Sequence, residues 1–140
     1  MNSNFLKVSI LALITIFTIS CSKDEEKQAE TPAPITKATI ILKKTNGDFA
    51  SGIAVYAYNQ TKWQSFGDNT TFADGQASSD ASGNAIFSNI EYGSSFNTSN
   101  NNQNNFRFSA HYSLGGVNKT KVIAITFLKG EQKTQNLILD

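Results

Sequence analysis

The sequence predicts an all-β protein, a single antiparallel β-sandwich of six to seven short strands. Three observations carry that prediction. Beyond residue 36, apolar residues recur at every second position. Turn residues interrupt them at sandwich-like intervals. No stretch of the same region has the spacing of an amphipathic helix. One polar side per strand implies antiparallel sheets with a core face and a wet face.

The elements follow in order. Thr39-Ile40-Ile41-Leu42 opens the pattern, and Asn46-Gly47-Asp48 ends it. Asn-Gly between apolar runs is a strong hairpin cue because both residues tolerate positive φ. Gly52 to Tyr58 is the second strand, followed by a long polar loop from Gln60 to Gln76. Asp80-Ala81-Ser82-Gly83 is a turn cluster that launches Asn84-Ala85-Ile86-Phe87. The segment Asn97 to Asn105, polar and low in complexity, reads as another loop. Phe106 to Tyr112 then alternates cleanly, with Phe106, Phe108, Ala110 and Tyr112 on one face. Gly115-Gly116 turns the chain into Lys121 to Phe127, the strongest strand. Lys129-Gly130-Glu131 is a polar turn, and Gln135 to Leu139 closes the domain.

The folded domain is expected over residues 36–140, enough for one core without disulfides or metals. Residues 21–35 read as a disordered tether. Ser22 to Thr31 has no aromatic or branched apolar residue, so it cannot bury enough surface to fold. Pro32-Ala33-Pro34 stiffens the chain after it. Residues 1–20 have the layout of a signal peptide: Lys7, then an apolar run from Val8 to Ile19, then the small residue Ser20. The run is shorter than the roughly 20 residues that span hydrocarbon. Its β-branched isoleucines and terminal position argue against a core helix. The sole cysteine, Cys21, stands directly after the run.

A cysteine at that place resembles a bacterial lipoprotein signal, although Thr18 stands where such signals usually carry Leu. The resemblance makes Cys21 the lipidated first residue of the mature chain, leaving no free thiol and no disulfide. Each buried methylene of an acyl chain such as palmitate adds about 0.8 kcal/mol, so several chains anchor firmly. Ser22, Lys23, Asp24, Glu25 and Glu26 resemble the export signal of surface lipoproteins in the Bacteroidota, which implies the outer face of the outer membrane.

Within the domain, Gly52-Ile53-Ala54-Val55-Tyr56 and the stretch Ser79 to Gly93 resemble carboxypeptidase regulatory-like domains, which have a transthyretin-like fold. In the latter stretch an Asp-x-x-Gly turn feeds a strand with an inward aromatic and then a glycine turn. The resemblance implies a core of Ile53, Val55, Ala85, Phe87, Ile90, Phe106, Phe108, Ile123, Ile125 and Phe127. It places Tyr56, Tyr58, Arg107 and His111 outward. It also implies a non-catalytic module that serves as a spacer, folding aid or binding platform.

Catalytic readings find little support. His111 is the only histidine, which excludes a multi-histidine zinc site. It also excludes the hydroxyisourate hydrolases that share the transthyretin-like fold. No Gly-x-Ser-x-Gly elbow is present. Asp80, Ser82 and Asn84 alternate as oxygen ligands do in calcium loops, but Ala85 and Glu91 stand where such loops need Gly and Glu. An Asp-capped turn explains the spacing instead. With a formal net charge of +1 and no basic stripe, no nucleic-acid partner is implied. No cofactor is expected. Asn59-Gln60-Thr61, Asn69-Thr70-Thr71, Asn97-Thr98-Ser99 and Asn118-Lys119-Thr120 match the glycosylation pattern, which an Asn- and Thr-rich chain produces by coincidence.

The candidate ligand-binding residues are aromatic. Trp63, Phe66 and Phe72 lie in the polar loop, where they either bury together or form an exposed patch. Tyr56 and Tyr58 could extend such a patch. The expectation is a non-enzymatic, surface-anchored lipoprotein acting as an accessory or interaction module with an outer-membrane protein partner. The alternative is glycan capture on Trp63, Tyr56 and Tyr58, because sugars stack on flat aromatic faces. A hydrolase is a weaker third reading.

Overall fold

The period-two pattern becomes two facing sheets. The computed structural model describes residues 33–93, 95–96 and 102–140. Cys21 and the export segment Ser22 to Glu26 lie outside the described residues, as do 97–101 of the Asn-rich loop. The strands are β1 (Lys37–Lys44), β2 (Ala54–Asn59), β3 (Gly75–Ser78), β4 (Asn84–Phe87), β5 (Gln103–Leu114), β6 (Val117–Leu128) and β7 (Gln132–Leu139). A short helix α1 (Gln60–Phe66) and a 3₁₀ turn (Thr70–Phe72) follow β2. One sheet has the order β4-β1-β7 and the other β3-β2-β5-β6. The seven strands form the expected all-β sandwich.

One pairing departs from the antiparallel expectation. β1 and β7 run parallel over their whole lengths, from Lys37 opposite Gln132 to Lys44 opposite Leu139. The cause is local. The turn from β6 to β7 lies beside the start of β1, where the Lys37 amide donates to the Glu131 carbonyl at 3.0 Å. The last strand therefore sets off in the same direction as the first.

The core lies between the sheets. Val55, Ala85, Phe87, Ile90, Phe106, Phe108, Ile125 and Phe127 are buried as expected, together with Ile40, Leu42 and Leu137. Ile53 and Ile123 are partly buried and pack against them. Phe106 and Phe108 each meet Phe127 edge to face, at 6.0 and 6.3 Å between ring centres. That arrangement suits the ring quadrupoles and adds to the area term. Losing one of these rings would cost about 3–5 kcal/mol.

The predicted turns form, but Asn46-Gly47 does not join β1 to β2 as a hairpin: the two strands lie in different sheets, and the turn closes only a bridge between Lys43 and Phe49. Asp80 holds its turn by accepting the Ser82 amide at 2.8 Å and the Asn84 amide at 2.9 Å. These bonds, the Asn84 amide first, hold its carboxyl below the usual carboxylate range. Gly83 in that turn has φ +75°, and a Cβ there would lie 2.5 Å from the Leu42 carbonyl oxygen. Gly115 and Gly116 both take positive φ in the β5–β6 hairpin, as a tight primed turn requires. Among the described residues no helix is long and apolar enough to cross a membrane.

Two loop expectations need correction. The Gln60 to Gln76 loop contains α1, the 3₁₀ turn and the start of β3. Gln103 to Asn105, read as part of the Asn-rich loop, belongs to β5 and pairs with Thr126 to Leu128 of β6. Their backbone groups find ladder partners there, which outweighs their low strand propensity.

Candidate functional site

The outer face of the four-stranded sheet positions the site. Alternation puts Ala54, Tyr56 and Tyr58 of β2 on that face beside Arg107, Ser109 and His111 of β5. The chain then folds back over it. Asn59 caps α1, its side chain accepting the Lys62 amide at 2.9 Å. Asn69 caps the 3₁₀ turn, accepting the Thr71 amide at 3.1 Å. Two of the Asn-x-Thr triplets are thus explained as helix caps. Asp74 closes the segment, accepting the Asn59 amide at 2.6 Å and pairing with Lys62 at 2.9 Å.

Asp68, between the two helical turns, drops onto the sheet and gathers its polar groups. The Tyr58 hydroxyl donates to it at 3.2 Å and the Ser109 hydroxyl at 2.8 Å. His111 Nε2 lies 3.1 Å from the same carboxylate. A carboxylate only accepts, so Nε2 carries the proton in this contact. Burial, and then the Asp68 charge, raises the Tyr58 hydroxyl far above the ordinary tyrosine value. Ser109 and His111 both address Asp68 rather than each other, which differs from a nucleophile–base–carboxylate relay. Among the described residues no group of three or more His, Cys, Asp or Glu side chains comes together to hold a metal.

The aromatic candidates separate into distinct environments. Tyr58 lies on the outer face but is fully buried, because α1 covers it; the expected outward, accessible Tyr58 is corrected here. Trp63 is half-buried and meets Tyr58 edge to face at 5.4 Å. Tyr56 is half-buried and packs edge to face with the His111 ring at 4.9 Å. Trp63, Tyr56 and Tyr58 therefore do not form one flat exposed platform. Phe66 and Phe72 stack at 4.0 Å, nearly parallel, and remain 47% and 40% exposed. Phe72 and Asp68 are the candidate-site residues that the sequence underweights. An Asn cap before each helical turn was the available signal for the fold-back that brings them in.

No protein-family model and no curated protein matches the chain. Among solved structures, one from Pseudomonas aeruginosa described as a "putative carbohydrate binding protein" aligns over 78% of this chain and 91% of its own. The two are 12% identical, with a TM-score of 0.42. Similarity at that level carries no argument about what this chain binds.

Proposed function

We propose that the chain is a non-enzymatic lipoprotein, anchored through Cys21 on the outer face of the outer membrane, whose sandwich binds a protein partner. The observation that carries the binding role is the Phe66–Phe72 pair. The segment bearing it is fixed at Asp68 and Asp74, yet it presents two stacked rings to water. Full burial of a phenylalanine side chain contributes about 1.5–3 kcal/mol, so this pair is a ready apolar anchor for association. The sequence after the apolar run supports the anchor and its display. The all-β sandwich is compatible with the regulatory-like resemblance, and domains of that kind serve as accessory modules.

Glycan capture is the second reading. The Trp63, Tyr56 and Tyr58 platform is unavailable to it, but a polar cleft on the β5–β6 hairpin favours it.

The anchor is tested by fractionation. Cys21→Ser should move the protein from membranes to the soluble fraction, and continued membrane association without lipid would contradict the proposal. Neutralising Lys23, Asp24, Glu25 and Glu26 together should keep the lipid but hide the domain from external protease. Undiminished cleavage would remove the export segment from the account.

A further inference from the structure

We infer that the outer face of the β5–β6 hairpin is a subsite for a neutral saccharide; this deepens the glycan reading and rests on it. A cleft of about 460 Å³ opens there, lined by His111, Tyr112, Ser113, Asn118, Lys119 and Thr120. Register makes the polar groups a small grid. His111 stands opposite Thr120, and Ser113 opposite Asn118. Paired positions across the strands are about 5 Å apart, and alternate positions along one strand about 7 Å. A hexose ring with its hydroxyls spans the same range.

The chemistry of the grid selects the ligand. Ser113, Asn118 and Thr120 are exposed, and no described residue occupies their side chains with a hydrogen bond. They offer hydroxyl and amide groups that both donate and accept, as sugar hydroxyls do. His111 uses Nε2 on Asp68, which leaves Nδ1 as an acceptor in the neutral ring. The Tyr56 ring beside His111 adds an apolar edge for sugar C–H groups. The one cation in the lining, Lys119, already donates to the Asp140 carbonyl at 3.1 Å, and Tyr112 donates to the same oxygen. The His111–Thr120 and Ser113–Asn118 grid thus carries no lysine or arginine to favour an anion, since Lys119 is paired with Tyr112 on the opposite face of the hairpin, and it has no broad apolar floor for a lipid. The cleft lies roughly 25 Å along the strands from Gln103, at the end of the domain remote from Pro34. Neither Phe66 nor Phe72 lines it, although Asp68 of the same segment meets the lining residue His111.

The test uses the full lipoprotein in an amine-oxide detergent, which has no sugar headgroup, against an array of neutral and acidic oligosaccharides. The expected result is saturable binding of a neutral oligosaccharide, weakened at least about tenfold by Asn118→Ala with Thr120→Val, since two direct hydrogen bonds are lost. Phe66→Ala should leave that affinity unchanged. If the double variant misfolds, Ser113→Ala alone should weaken binding severalfold. Glycan binding that survives these cleft changes would overturn the subsite while leaving the glycan reading standing. Binding of no oligosaccharide would overturn both, and binding of acidic oligosaccharides alone would overturn the neutral-ligand assignment.

Discussion

Asp68 concentrates the chemistry of this domain in one side chain. Its carboxylate satisfies the Ser109 and Tyr58 hydroxyls, both fully buried residues, and it holds the His111 ring. An unsatisfied buried donor costs about 1–3 kcal/mol, so the fold-back over the sheet depends on this carboxylate. The arrangement has a consequence in alkali. Tyr58 is raised by burial first and by Asp68 second, and Tyr92 is raised chiefly by burial. The folded state keeps protons that the unfolded state releases near pH 10. The stabilisation is therefore complete below pH 10 and is lost as pH rises above it. Urea unfolding should show stability falling above about pH 10, with each such tyrosine contributing up to about 1.4 kcal/mol per pH unit. Tyr58→Phe should make that fall shallower, and an unchanged slope would remove Tyr58 from the account. Little of this was legible in the sequence. The regulatory-like resemblance placed Tyr58 on the outer face correctly, but a strand's facing carries no information about what later covers it.

The element that covers it is α1 with its 3₁₀ turn. α1 spans Gln60–Phe66, about two turns, too short to display a helical hydrophobic period. The segment is held by its caps, by Asp74 and by Tyr58 packing under Trp63. The Asn caps were visible in the sequence, but their Thr neighbours made them look like coincidental glycosylation triplets. β3 was illegible for a different reason. Gly-Gln-Ala-Ser has no β-branched or aromatic residue, and only pairing with β2 defines it as a strand. β2, β4, β5 and β6 were legible because their inward residues alternate without a break. For the cap, Asn59→Ala should cost about 1 kcal/mol of stability by denaturant titration. Amide exchange should quicken first in α1. A loss spread evenly over all strands would mean that Asn59 does not act as a local cap.

At the scale of the whole molecule, the chain closes on itself by laying β7 parallel to β1. Sequence periodicity could not reveal this, because alternation is the same for parallel and antiparallel neighbours on a half-buried sheet. The direction was decided by the place of the β6–β7 turn, where Thr36 Oγ1 accepts the Gly130 amide at 2.6 Å. Pro34 lies against the same turn, at Gly130. The polar hairpin cleft sits toward the other end of the strands, and the stacked phenylalanines lie over the outer sheet face. Two surfaces of different chemistry thus share one small sandwich, an apolar one proposed for a protein and a polar one proposed for a neutral sugar. The central claim is that the Phe66–Phe72 pair docks a protein partner at the cell surface. The most direct measurement is photo-crosslinking on intact cells, with a photoreactive phenylalanine analogue at position 66 and, as a control, at Thr134 on the outer face of the other sheet. A discrete protein adduct from position 66 and none from position 134 is the predicted result. Identical adducts from both positions, or none from either, would contradict the claim.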